Sequence, residues 1–557
     1  METTAFSSPS HVADAQRLIE SEIQGHHESI RALKSQRNSL SMINRLPPEV
    51  LSRVFMFCIA PPSMRWIAQI SHVSRHWRTI AISCPNLWNH PRFSYSRCSS
   101  QRAMEMVKRS KNVPLVLRGN LSDMHWESQQ TLKKLVLEHI GKVAVLDVSS
   151  ISAEFLQNLA KRTESAPYLH TLHLRAGLDY QTYSQSQYEL PSTFLSGYAP
   201  HLESLSLENM HLSLDSTLLG SSLVHLELKN VHLDHSSLIA LASALARTPL
   251  LERLELLGRF NGDPSNNRYT SRRIPLAKLQ YLHLRNASGP QLGILTLLER
   301  LSIRHGARWK LRCSCEDNDV PLLSSLLENL PVVVPIRSLS IASYNGILTV
   351  IPDFDVPTQT ADRVFELQLL KVAPHWKPEF IMLVCRSIPL QSLAYLRLSG
   401  SLSTKACVRA FGDLPSLRTI EAYDQSVAEL IAALDEDVIL DGTKQFPQLP
   451  AVRLDAGRRT SLRRPKPEVL IGGLFFPVLK SLSVEGADFS EQPSLDMLLT
   501  SLMARCNRSQ ELEQFKIQGC WGLSTDDVME LEKIVVDVQW DGSQRGPRCG
   551  CGGYHLY

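Results

Sequence analysis

The spacing Leu-x-x-Leu-x-Leu returns along most of this chain, and it narrows the possible folds more than any other feature. Instances are Leu169-Leu172-Leu174, Leu202-Leu205-Leu207, Leu223-Leu226-Leu228, Leu251-Leu254-Leu256, Leu279-Leu282-Leu284, Leu298-Leu301-Ile303 and Ile336-Leu339-Ile341. Val364-Leu367-Leu369, Leu393-Leu396-Leu398, Leu417-Ile420, Leu449-Val452-Leu454, Leu479-Leu482-Val484 and Leu512-Phe515-Ile517 continue it. Alternate side chains point the same way along a strand, so the second half of each instance makes a one-sided apolar row. One unit has too little chain to bury that row alone, whereas units stacked in register bury it together. The leucine count follows the same division: of 86 leucines, only 6 lie in the first 100 residues. Two regions under different rules are therefore expected.

The starts recur every 19–38 residues, scattered around the ~20–29 usual for leucine-rich repeats. The expected fold class is α plus α/β: one amphipathic helix, a small trihelical unit, then an irregular leucine-rich-repeat solenoid. The expected boundaries are 1–42 for the helix, 43–92 for the trihelical unit and 93–130 for a connecting segment. The repeats then occupy 131–540, and 541–557 is a flexible tail.

Residues 11–42 are polar with sparse apolar positions. Val12, Ile19, Ile23, Ile30, Leu33 and Leu40 fall on 3/4 spacing, with Gln16, His26 and Arg37 filling the remaining positions of the seam. This interrupted heptad predicts one amphipathic helix, packing on its own chain or weakly self-associating. Asn44-Arg45-Leu46-Pro47-Pro48-Glu49 then carries a helix start, with prolines in the first turn and an acid suited to the helix dipole. Val50, Leu51, Val54 and Phe55 stripe that short helix. Pro61-Pro62 breaks it, and Trp66–Val73 and Ser74–Ala81 follow as helices that close at Cys84-Pro85 and Leu87-Trp88. So few residues offer little interior, and Leu46, Phe55, Trp77 and Trp88 are expected to leave apolar surface for a protein partner.

L-P-P-E-V-L-x-x-V-F, then I-x-x-V-S-R-x-W-R-x-I-A, then L-W, read from Ile43 to Trp88, resemble an F-box. With the repeats behind it, the chain is similar to the large fungal family of F-box/leucine-rich-repeat proteins. The resemblance implies docking onto a Skp-type adaptor, and through it onto a cullin-RING ubiquitin ligase core. Carried over position by position, Leu46, Pro47, Val50, Leu51 and Phe55 would form the first part of the adaptor contact. Ile70, Val73, Trp77, Ile80 and Trp88 would supply the rest, by packing or by direct contact. A slightly long connection at Ala60–Ser63 departs from the family pattern. The last repeat, with Cys520 after Ile517 and then Leu523-Ser524-Thr525-Asp526, is similar to the cysteine-containing type often paired with F-boxes. Met210 and Val231 occupy the cysteine position elsewhere, so most repeats are degenerate.

Between the core leucines, alternate residues face outward. His173, Arg175, Tyr281, His283, Arg285, Arg300, Arg304, Tyr395 and Arg397 stand out, with Arg285 and Arg304 expected on neighbouring strands about 4.8 Å apart. Arginine forks beside Tyr and His suit an acidic or phosphorylated peptide, so this face is the expected site for a target protein. A basic cluster from Arg453 to Lys466 reads as a soluble insertion loop, with a nuclear address or a loop phosphorylated by a basic-directed kinase as the alternatives.

Charge and cysteine usage limit the rest. The balance of 59 basic and 55 acidic residues argues against a dedicated nucleic-acid or membrane-surface binder. Eleven scattered cysteines are too few for a disulfide scaffold. Cys313/Cys315 and Cys549/Cys551 are C-x-C pairs that would form a closed zinc site only if brought together. The N-terminal residues lack the n-region and h-region of a secretory signal, and no apolar run approaches ~18 residues. A soluble protein of a reducing compartment, cytoplasmic or nuclear, is expected. No H-E-x-x-H, phosphate loop or nucleophile elbow occurs, so no cofactor, metal or catalytic residue is expected. The expected role is a non-catalytic substrate adaptor. A binding scaffold that does not direct degradation is the alternative, and an unrecognised enzyme the third.

Overall fold

The computed structural model describes residues 9–58, 64–96, 98–162, 164–177, 188–261, 273–286, 297–298, 300–303, 307–314, 335–352, 365–434, 475–490 and 495–543. The chain forms two compact units. One comprises Met1–Tyr183 with Thr193–Leu202, the other Ser184–Ser192 with Glu203–Tyr557.

The first unit opens with α1 (Pro9–Ser39), a single helix of 31 residues. Its apolar seam is exposed along its whole length, so the expected packing on its own chain is absent among the described residues. A 3-10 turn at Met42–Arg45 leads into α2 (Pro48–Cys58), whose proline-led first turn carries Glu49. α3 (Met64–Val73) and α4 (Arg75–Ser83) complete three helices. Ser74 caps α4 by accepting from the Trp77 amide at 3.1 Å, satisfying one of the donors that a helix start leaves free. Leu51, Phe55, Ile67, Ile70, Ile80, Ala81, Cys84, Leu87 and Trp88 close one core with Met106. Met106 comes from α5 (Ser99–Ser110). That helix corrects the expectation that Phe55 and Trp88 stay open. Phe55 is 1% and Trp88 5% exposed, because α5 adds Met106 to the core and lays the Arg109 guanidinium 4.5 Å from the Trp88 ring centre. Beyond it, Leu115–Asn120, Val143–Ile151 and Thr171–Ala176 form three parallel strands, with helices Trp126–His139 and Ala153–Ala160 between them in sequence.

The second unit is built on parallel strands in chain order, Ser204–Glu208, His225–Leu233, Arg253–Phe260, Tyr281–Asn286 and Arg308–Ser314. The next neighbour is Phe365–Leu370, reached in parallel. Ile347–Pro352 and Ser338–Tyr344 then follow in reverse order as an antiparallel hairpin. Parallel order resumes with Tyr395–Gly400, Thr419–Tyr423, Ser481–Glu485, Gln514–Gln518 and Asp537–Trp540. The hairpin was not expected from the leucine spacing. Its turn is Asn345-Gly346, both at positive φ (47° and 75°), the geometry that right-twisted hairpins require.

The leucine rows form the core of the sheet: among the described residues of the motif, all are buried except Leu298 and Ile303. Those two belong to the one repeat that leaves the main sheet. Leu301–Ile303 pairs instead with Ile274–Leu276 in a separate two-stranded sheet. Arg308–Ser314 takes its expected place because Trp309, Leu311 and Cys313 make a longer inward row. Polar devices close the returns. Asp234 caps His235–Leu245, and Ser524 with Asp527 forms a reciprocal capping box on Thr525–Glu532. Cys520 is fully buried, its thiol 3.3 Å from the Gln518 carbonyl. Asn286 is buried and brackets Phe260, accepting from its amide at 3.3 Å and donating to its carbonyl at 3.5 Å.

Candidate functional site

The residues singled out above fall in two sets: the adaptor positions on the first unit, and the outward strand residues, which apart from His173 and Arg175 belong to the second. On the trihelical unit the ten adaptor positions separate by burial. Leu51, Phe55, Ile70, Ile80 and Trp88 are core. Leu46 and Trp77 are half-buried, and Pro47, Val50 and Val73 are exposed. The core members position the others. Trp77 lies against Phe55 with ring centres 5.0 Å apart, and its indole N–H donates to the Asn44 side chain at 2.5 Å. That bond ties α4 to the turn before α2. The Trp88 indole donates to the Ala81 carbonyl at 2.8 Å, fixing the end of α4.

Around this core the exposed apolar side chains include Ile43, Val50, Trp66 and Val73, and Phe57 at 83% exposure. Isolated exposed apolar side chains are ordinary; these five fall between Ile43 and Val73. Phe57 and Trp66 were not among the expected contact residues. Val50, Val54 and Phe57 follow one another at 4 and 3 residues, so Phe57 lies on the exposed edge of the α2 stripe with Val50, and that spacing is the signal that marks it.

On the second unit the outward face of the sheet is charged, and much of the charge is paired within the protein. Lys229 Nζ lies 2.6 Å from Glu227, Lys310 Nζ 2.8 Å from Glu366 and Arg397 Nη2 2.8 Å from Glu421. Glu255 accepts from Arg253 Nε at 2.6 Å and contacts His283 Nδ1 at 3.3 Å. Burial alone would raise the Glu255 carboxyl, but hydrogen bonds from His283 and Arg253 outweigh it and hold it at about 2. Tyr281 sits under the Arg253 guanidinium at 4.5 Å. Burial and the neighbouring Glu421 push the Tyr395 phenol up, and Tyr423 up to about 12. His283 and Arg397 therefore belong to ion-paired networks, and Tyr281 and Tyr395 pack beside them. His173 and Arg175 lie on Thr171–Ala176 of the first unit.

Arg285 has a different neighbour from the one expected. Arg304 lies outside the described residues, and Arg300 immediately precedes the strand that joins the small sheet. The residue beside Arg285 is Arg312, by direct register of Tyr281–Asn286 on Arg308–Ser314. The Arg312 Nε is buried and has no hydrogen-bond acceptor among the described residues. Two guanidinium groups on adjacent strands, about 4.8 Å apart at the backbone, make the face locally cationic. The expectation missed Arg312 because it assigned the strand to the wrong leucine spacing. The cluster from Arg453 to Lys466 and the Cys549/Cys551 pair lie outside the described residues, as does Cys315.

An F-box-like family profile matches residues 43–94, so the chain carries an F-box-like domain spanning α2, α3 and α4. Domains of this kind generally bind Skp-type adaptors, and proteins that carry them generally act as non-catalytic adaptors in Skp–cullin–F-box complexes. A search of curated proteins finds no match to the chain. Among the described residues, no helix is long and apolar enough to cross a membrane.

Proposed function

We propose that this chain is the substrate-recognition subunit of a Skp–cullin–F-box type ubiquitin ligase. In this reading the F-box-like domain docks the adaptor and the leucine-built sheet holds a target protein near the ubiquitin-loaded enzyme. The observation that carries it is the division of the F-box-like helices into a closed core and the apolar residues Val50, Phe57, Trp66 and Val73 left outside it. The chain's own contribution to rate is effective concentration: it raises the local concentration of target lysines without touching the reacting atoms. On the target side, Arg285 and Arg312 supply the anchor for an acidic or phosphorylated residue, since paired guanidinium forks match a planar carboxylate or a phosphate. The reading places the protein in the cytoplasm or nucleus, where such ligases work.

Exposed positions test the adaptor reading best, because Trp77→Ala would also remove packing from Phe55 and the bond to Asn44. Val50→Glu with Val73→Glu should leave the fold intact, judged by circular dichroism, and abolish co-purification of adaptor and cullin. Retention of both partners by that variant would end the reading. An adaptor-bound complex without cullin would identify a scaffold instead. Arg285→Glu with Arg312→Glu should release bound target while keeping the adaptor, and an unchanged set of bound proteins would refute the proposed anchor.

A further inference from the structure

We propose that the sheet face of the second unit holds its target as an extended segment laid across the strands, with an acidic or phosphorylated residue at one end and a lysine or arginine about nine residues away at the other. This rests on the reading of that face as the target site. It adds to the arginine anchor a second contact of opposite charge and a fixed distance between the two.

Strand register threads one continuous row of outward residues across the sheet. It starts at Arg285 and Arg312, which are direct partners. It continues through Gln368, Thr349, Ala342 and Ser399 on successive neighbouring strands. It ends at Tyr423 and Glu485. The residues in the middle are uncharged and none is larger than glutamine, so they make a low floor between two charged ends. The next row, two residues away on each strand, is charged but neutralises itself, Lys310 with Glu366 and Arg397 with Glu421.

At the cationic end the Arg312 Nε is buried without an acceptor among the described residues, and so is the hydroxyl of Ser314, which is 5% exposed. Ser314 lies two residues on, on the same side of the strand as Arg312. Buried donors left unmade are costly, and an anion arriving beside Arg285 supplies what they lack. At the far end Glu485 is exposed next to Tyr423, and the exposed Asp424 accepts from the Tyr344 hydroxyl at 3.2 Å. Two carboxylates beside two rings suit a lysine or arginine, whose stem lies along the rings while its charge reaches the acids. The two ends are thus opposite in sign, and one segment satisfies both only if it carries an acid and a base. From midway between Arg285 and Arg312 to midway between Tyr423 and Glu485 is six strand steps. That is about 29 Å, the reach of about nine extended residues.

The probes are fluorescein-labelled Gly/Ser peptides with one phosphoserine, either alone or with one lysine about five, nine or thirteen residues from it. Each is made in both chain directions, and binding to the full-length protein is read by anisotropy at physiological salt. The screening length there is about 8 Å, so the two ends act independently. Lysine should tighten binding about fivefold at nine residues, in one of the two directions, and give no gain at five or thirteen. Glu485→Lys should remove that gain and leave the lysine-free probe unchanged. Replacing the probe's lysine by glutamate should then bring the gain back. A lysine that adds nothing at any spacing, or adds equally at all three, would overturn the proposal. In that case phosphoserine binding that is lost in Arg285→Glu with Arg312→Glu would still uphold the anchor. No binding by any probe would overturn both. Co-purification of adaptor and cullin, which involves none of these positions, reports on the ligase reading separately.

Discussion

Glu255 shows how a single side chain on the sheet face reports its surroundings through pH. Its carboxyl is depressed from the ordinary 4.5 to about 2 by its bonds to His283 and Arg253, against the opposing effect of burial. A depressed carboxylate stabilises the fold above its unfolded pKa, and that contribution is lost as pH falls through the folded value. Glu255→Gln should therefore lower stability at pH 7 and converge with the unaltered protein as pH approaches 2, read by denaturant titration across that range. Arg505 makes the opposite kind of demand. It is fully buried, donating to the Phe475 carbonyl at 2.9 Å and the Phe476 carbonyl at 2.8 Å, and burial lowers its pKa to about 10. Arg505→Met should cost about 2–4 kcal/mol, because it strands two buried acceptors. Nothing in the string Met503-Ala504-Arg505-Cys506 marks that arginine as interior, since the carbonyls it serves lie some thirty residues earlier in the chain.

Helices and strands differ in how they tolerate change, and two glycines make the contrast measurable. Gly25 sits in the open middle of α1, so Gly25→Ala should raise the stability of that helix by about 1 kcal/mol, as seen in its thermal melt by circular dichroism. Gly400 ends the strand Tyr395–Gly400 at φ 75°, and a Cβ there would overlap the Ser343 carbonyl oxygen of the neighbouring strand. Gly400→Ala should cost about 3 kcal/mol, from backbone strain and from the close approach together. The strands themselves were readable in advance, because Leu282/Leu284 and Leu396/Leu398 alternate with polar residues and little else explains that spacing. The hairpin from Ser338 to Pro352 was not, although Asn345-Gly346 announces a tight turn. Ile336-Leu339-Ile341 satisfies the leucine spacing equally well in a parallel or an antiparallel neighbour. Leu301–Ile303 failed for a related reason: the motif specifies a strand, and competition with Trp309, Leu311 and Cys313 decided which sheet received it.

The proposed adaptor and target positions lie on separate parts of the chain, so the two proposed binding activities should be separable. Val50→Glu with Val73→Glu should abolish adaptor retention while leaving target capture unchanged. Arg285→Glu with Arg312→Glu should do the reverse, and the four substitutions together should lose both, measured by quantitative mass spectrometry of purified complexes. Coupled losses from either pair would mean that the surfaces are not independent.

The division into a leucine-poor front and a leucine-rich remainder, the helix starts at Pro48 and Ser74, the α1 heptad and the F-box-like motif all rest on local spacing, and local spacing is written in the chain. Which F-box-like residues are core and which remain open depended on α5 arriving with Met106 and Arg109, a contact between segments that no spacing encodes. Which arginine stands beside Arg285 depended on strand register across a gap of some twenty residues. Periodicity states that a row must be buried; only packing states against what, because many partners satisfy the same apolar row and the tightest fit is chosen in three dimensions.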